Sequence, residues 1–246
     1  MARKRTPRYA GATAAALSVF LLGTSACAGT EPQRDTRPDE ISSKAVAGVR
    51  TASSVRVRME QTGSEAMTID LTMDRRGRCA GRITFTDGTA DVIKIGETFW
   101  LKPDARFWQT QLGARGEVAP AFRNRYLRGD AEHEQLRDMA VLCDLGGIHR
   151  TLAEEVGKGP FVWGKPVTLE GERAETVSGR AGSVMISMVG GRGTPGPGAS
   201  GRSGPVRFVQ RNKDRDTVTT TFTDWNQPVP AKAPAPGTSI DLARLS

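Results

Sequence analysis

The chain has 246 residues and a formal net charge of +8, with 35 lysine and arginine against 27 aspartate and glutamate side chains. Four of the cations, Arg3, Lys4, Arg5 and Arg8, lie in residues 1–26 and no acid does, which leaves 31 basic and 27 acidic groups in the rest. That excess of four is modest and spread out, and it argues against nucleic acid as a partner.

Residues 1–26 carry an export signature. The four cations form a positive n-region. Ala10 to Gly23 is apolar or small throughout, with Leu17-Ser-Val-Phe-Leu-Leu22 at its centre. About fourteen such residues make a signal-peptide core and fall short of the roughly twenty a membrane span needs. Thr24-Ser-Ala-Cys27 follows, and small residues leading to a cysteine resemble a lipobox, although Thr24 stands where leucine is usual. The expectation is a mature chain beginning at Cys27, acylated there and held on the extracytoplasmic face of the cell membrane by two or three acyl chains such as palmitate. An ordinary secretory signal with Cys27 incidental is the alternative. Residues 27–38 read as a polar tether with two prolines. Extended, it reaches about 40 Å, so the domain in 39–246 would work close to the bilayer.

With Cys27 lipidated, Cys79 and Cys143 remain, an even pair in an oxidising compartment. A bridge between them closes a long loop and contributes roughly 4 kcal/mol on the chain-entropy argument. Two buried free thiols are the other reading.

Along the domain, Ile41, Ala45, Val49 and Ala52 recur at helical spacing, with Asp39 placed to help the helix start. From Ser54 the period becomes two. Val55, Val57 and Met59 alternate with Arg56, Arg58 and Glu60; Ile69, Leu71 and Met73 with Asp70, Thr72 and Asp74; Ile83 and Phe85 with Arg82 and Thr84. Turn residues separate the runs, and 90–95 and 98–102 extend them into an antiparallel meander with one apolar face. Helices are expected over 105–113, 132–142 and 145–156. Strands then resume over 161–169, 174–178, 183–189, 206–211 and 216–224. Gly190–Gly204 reads as an irregular loop, and Pro228–Pro236 as an extended segment that ends the fold. The order predicts an α+β domain, one curved antiparallel sheet whose apolar face is covered by helices.

No enzyme chemistry is expected. His133 stands between Glu132 and Glu134, His149 near a helix end, and neither has a metal-ligand partner at i+4 or in a cysteine pair, so no metal and no cofactor is implied. Neither a G-x-S-x-G elbow nor a phosphate-binding G-x-x-x-x-G-K-[ST] loop occurs. A basic cluster, Lys94, Lys102, Arg106, Arg115, Arg123, Arg125 and Arg128, reads either as a solvated face or as a surface near anionic headgroups.

Thr98-Phe-Trp-Leu-Lys-Pro-Asp-Ala-Arg-Phe-Trp108, the Cys143-Asp-Leu step and Phe222-Thr-Asp-Trp-Asn-Gln-Pro-Val229 resemble lipoproteins of the LppX/LprG group, within the LolA-like superfamily. The likeness runs over most of residues 40–242, departing from the family's compact hairpin at Gly190–Gly204. It implies a half-open barrel with a helical lid and a cavity for lipid acyl chains. Val55, Val57, Met59, Ile69, Leu71, Met73, Ile83 and Phe85 are then the candidate cavity lining, and the abundant methionines suit an adaptable wall. The same residues also suit a solid core. Two functions therefore stand side by side: lipid binding or carriage at the membrane, and an anchored sensor or regulator that contacts an envelope protein and carries no lipid.

Overall fold

The computed structural model describes residues 36–110, 122–179, 184–189, 204–211 and 216–244. The period-two stretch forms five consecutive strands, β1 (Ser54–Gln61), β2 (Met67–Asp74), β3 (Arg78–Phe85), β4 (Gly88–Ile95) and β5 (Thr98–Pro103), paired as an antiparallel meander. In β1, Val55 and Val57 are buried while Arg56 and Arg58 are exposed. The Asp74 carboxylate accepts the Arg76 and Arg78 amides, both at 2.9 Å, and Gly77 takes the left-handed φ of 78° that closes the β2–β3 turn. On the outer face the Arg56 guanidinium grips Asp70 at 2.8 and 2.7 Å, and Arg82 donates to Asp91 at 2.7 Å.

A second meander, β9 (Glu172–Ser178), β10 (Val184–Val189), β11 (Val206–Arg211) and β12 (Thr217–Thr223), joins the first through β1, with Val57 opposite Phe222 and Met59 opposite Thr220. Together with β6 (Tyr126–Asp130), β7 (Val162–Trp163), β8 (Val167–Leu169) and β13 (Ser239–Asp241), the described residues form one 13-stranded sheet that curves without closing. All its pairings are antiparallel except β13 on β6. The fold class is therefore the α+β one read from the sequence.

Helix α1 (Pro38–Thr51) buries Ile41, Ala45 and Val49 and packs on β9, β10 and α4 (Leu145–Gly157). Asp39 lies in its first turn and also accepts the Phe161 amide at 3.0 Å, tying the loop after α4 to the helix start. At the other end the Arg75 guanidinium donates to the carbonyls of Ala52, Val49 and Arg50 at 2.9, 2.8 and 2.5 Å. This satisfies acceptors that a helix C-terminus otherwise leaves unmatched. The short α2 (Ala105–Thr110) places Phe107 edge-on to Phe85, ring centroids 5.4 Å apart.

Three expectations need correction, and one strand was not expected at all. The helix expected over 132–142 shrinks to α3 (Arg137–Ala140) and a 3₁₀ turn, Val141–Cys143. The Asp130 carboxylate and the His133 imidazole capture the Glu132 and Gln135 amides, so the chain turns there instead of winding. The single strand expected over 161–169 breaks into β7 and β8 at Gly164-Lys165-Pro166, where proline has no amide to donate. Strand β6 lies inside the basic cluster, where only Leu127 offers a buried apolar side chain, and the alternation does not reveal it. The segment 228–236 does not end the fold. It crosses past the β2–β3 turn, where Arg78 donates to the carbonyls of Val229 and Ala231 at 3.3 and 3.0 Å, and delivers β13 to β6 and Leu242 to the core.

Candidate functional site

Among the described residues, the helical layer leaves a gap over the sheet beneath α4. Between α4 and the strands β1, β2, β11 and β12 lies a cavity of about 460 Å³. Its floor is apolar, built by Val57 and Met59 of β1, Ile69 and Met73 of β2 and Val218 of β12. These are the inward positions of the period-two pattern, and strand pairing sets Met59 beside both Ile69 and Thr220. The roof comes from Leu142 and from Gly147, Ile148, Thr151 and Leu152, which the α4 period brings to one face. Thr220 and Gln210 add polar groups to the floor, while Asp144, Arg150 and Glu154 stand among the lining residues on the helical side.

The roof is fixed to the sheet by a covalent bond. Cys79 of β3 and Cys143, two residues before α4, are joined by a disulfide with Cα atoms 5.7 Å apart. Both cysteines are buried. Met73, which pairs with Cys79, and Leu142, which precedes Cys143, both line the cavity, so the bridge stands at its wall.

Electrostatics at the mouth follow from the α4 N-terminus. Burial alone would raise the Asp144 carboxyl, but the backbone amides of Gly147 and Gly146 and the Arg150 guanidinium outweigh it and hold the group below the usual carboxylate range. Arg150 reaches Asp144 at 3.1 Å, with the arginine mostly in solvent and the carboxylate about half exposed, so the pair shapes the rim more than it stabilises the fold. Next to them, burial lowers the His149 imidazole below its ordinary value, and the positive charges of Arg75, Arg50 and Arg150 lower it further.

Of the eight residues proposed as lining, Val57, Met59, Ile69 and Met73 reach the cavity. Val55, Leu71 and Ile83 are instead fully buried in the packed core, and Phe85 lies under α2 against Phe107. The α4 face was available in the spacing of Leu145, Ile148 and Leu152, whereas Gln210 and Thr220 give no apolar signal. Cys27, the signal segment, Arg115 and most of Gly190–Gly204 lie outside the described residues. Of the basic cluster, Arg106 pairs with Asp87 at 3.1 Å and Arg128 with Asp241 at 2.6 Å, while Arg125 donates to the carbonyls of Gly237 and Ser239. Lys102 sits over the Tyr126 ring at 5.6 Å. Arg106 ties α2 to the β3–β4 turn, Arg125 and Arg128 fasten the β13 segment, and Lys102 links β5 to β6. A larger cavity of about 650 Å³ near α2 is lined by charges such as Asp91, Lys102 and Asp104 that already serve the fold. Among the described residues no group of three or more His, Cys, Asp or Glu is placed to hold a metal ion, and no helix is long and apolar enough to cross a membrane.

No protein-family model and no curated protein matches the sequence. Solved structures do match. LprF from Mycobacterium bovis aligns with a TM-score of 0.54 at 18% identity, over 80% of this chain and 97% of LprF. The chain has an LppX/LprG-like fold. At that identity the likeness is one of fold. The lipoprotein LppX from Mycobacterium tuberculosis aligns at a TM-score of 0.42 and 10% identity over 79% of this chain and 98% of LppX. A LolA-superfamily protein from Nitrosomonas europaea aligns at 0.26 and 9% over 81% and 96%.

Proposed function

We propose that this protein is an exported lipoprotein that binds, and by exchange carries, lipid acyl chains in the cavity between α4 and the sheet. The observation that carries this reading is the composition of that cavity: a mainly apolar floor, with charged groups on its helical side, about 460 Å³ in volume. That is the lining expected of a site for an amphiphile, and the size lies within the usual range for small-ligand sites. Residues 1–26 and Cys27 supply the export signal and the lipid anchor in this reading, and 27–38 the tether. Together they hold the cavity within reach of the lipids it takes up.

Cargo and anchor have separate tests. The full chain carrying Cys27→Ala, secreted by a bacterial host and purified without detergent, is extracted with organic solvent for mass spectrometry. An acyl lipid near one equivalent per chain is expected. Lipid content no higher than that of an unrelated secreted protein prepared in the same way would sink the cargo reading. In cells given an alkyne-tagged palmitate, the unaltered chain is expected to label and stay with the membrane, and the Cys27→Ala chain to do neither; equal labelling of both would remove the anchor.

A further inference from the structure

We infer that the cavity mouth is a membrane-docking surface, where Arg50, Arg75, Arg150 and Val141 meet the anionic headgroups of a bilayer. This rests on the acyl-binding reading above, to which it adds the partner that supplies and receives the cargo. The cations come from three separate places in the chain. Arg50 lies in the last turn of α1, Arg75 in the β2–β3 turn and Arg150 on α4, and all three are exposed. Arg75 donates to the Arg50 carbonyl at 2.5 Å, which brings the first two side by side. The charges of all three act on the His149 imidazole, which gathers them around one point. Neutral carbonyls occupy the Arg75 guanidinium and leave its charge in place. On the acidic side, Asp144 is engaged by Arg150 and by the Gly146 and Gly147 amides, and Glu154 lies about one turn further along α4.

An apolar side chain beside this charge selects a bilayer over an acidic protein. Val141 lines the cavity and is 63% exposed, the most of any large hydrophobic side chain among the described residues. Arg150 lines the same cavity. A solvent-facing valine and a guanidinium at the lip of an apolar cleft match a headgroup layer, where apolar groups sink to the acyl boundary and cations meet phosphate. The point where the tether joins the domain permits the contact. α1 and α4 run antiparallel: Asp39 holds the Phe161 amide just past α4, while Arg50 acts on His149 near the α4 start. Residues 27–38 therefore join the domain one helix length from the patch, about 21 Å. Extended, they reach about 40 Å.

The test is vesicle flotation. The full chain with Cys27→Ala is mixed with vesicles of phosphatidylcholine alone, or of phosphatidylcholine and phosphatidylglycerol in equal parts. Every further substitution is made in this same background, so whatever residues 1–38 contribute cancels. Binding to the charged vesicles is expected to be about tenfold tighter than to the neutral ones and to fall in high salt. Arg50→Glu, outside the cavity lining, should weaken it about tenfold, with circular dichroism and the retention of palmitic acid added from solution unchanged. Adding Arg150→Glu should weaken it further, and Val141→Ser should cost about fivefold. Equal binding of the Arg50→Glu/Arg150→Glu chain and its parent to charged vesicles overturns docking through this patch. Equal binding of the parent to both kinds of vesicle overturns the bilayer as partner and leaves the patch to an acidic protein. A chain that docks through these residues yet yields no acyl lipid on extraction overturns the acyl-binding reading alone.

Discussion

Replacing Cys79 and Cys143 together by alanine tests how much the bridge contributes to holding the helical layer on the sheet. The bridge spans 64 residues of sequence. The chain-entropy relation gives about 14 cal/mol/K for such a loop, or about 4 kcal/mol at 25 °C. Both sulfurs are buried, and losing their packing adds on the order of 1 kcal/mol. The two contributions separate experimentally. Urea unfolding of the unaltered chain with reductant present removes the cross-link and keeps the sulfurs, whereas the double alanine variant removes both. With a urea slope of about 2.5 kcal/mol/M, the reduced chain should unfold about 1.5–2 M earlier than the oxidised one, and the double variant slightly earlier still. A midpoint shift below about 0.5 M in both would refute the reasoning, because the unfolded chain would then gain little freedom from the cut. Loss of lipid retention at concentrations of urea where the sheet is intact would show that the bridge also shapes the cavity.

Three further outcomes follow from particular contacts. Arg75→Met leaves the carbonyls of Val49, Arg50 and Ala52 without their guanidinium, at a cost of about 1–3 kcal/mol; calorimetry should show a lower Tm, and an unchanged Tm would mean that solvent replaces the cap fully. Because the folded chain holds the His149 imidazole below its ordinary value, the unfolded chain takes up that proton first as pH falls. Stability should therefore decline from about pH 6.5 downward until the folded-state pKa is passed. His149→Gln should flatten that part of the profile, and an equal slope in both chains would sink the assignment. Val218→Trp puts an indole into the cavity from a half-buried strand position; bound lipid should fall about tenfold at unchanged far-UV circular dichroism, and full lipid content would place the ligand elsewhere.

How much of this the residues announce depends on how local the cause is. The meander β1–β5 is legible because period-two burial is written along each strand and short turns such as 74–77 join neighbours. α1 is legible for the same reason at helical spacing. Strand β13 is not, since three residues, Ser-Ile-Asp, acquire their partner in β6 only after a proline-rich crossing anchored by Arg78. Arg125 and Arg128 read as part of a basic cluster because the carbonyls and carboxylate that occupy them lie more than a hundred positions away. Local alternation cannot express such a pairing.

The cavity itself is a case between those two. The alternation identifies which side chains face inward, but it does not say where the inward face is filled. That depends on the rows of residues lined up across strands. In the row through Leu71, Val57, Phe222 and Val206, apolar groups succeed one another, and the Phe222 ring also meets Phe208 of the next row at 5.8 Å and Trp225 at 6.0 Å. The next row toward the β1 C-terminus runs Ile69, Met59, Thr220 and Phe208, with polar Thr220 between two large apolar side chains, and the one beyond pairs Gln61 with Val218 and Val218 with Gln210. Thr220, Val218 and Gln210 are small or polar and leave α4 without a continuous surface to pack on, and the gap spreads from them over Met59, Ile69, Val57 and Met73. Met59 and Met73, unbranched and pliant, border it. Strengthening that row should therefore close the site without disturbing the fold: Thr220→Leu, a swap toward the neighbouring row's chemistry, is expected to raise stability by about 1 kcal/mol while lowering lipid retention. If Thr220→Leu instead left binding intact and stability lower, the gap would owe its existence to the helix placement set by Cys143 and not to the side chains beneath it.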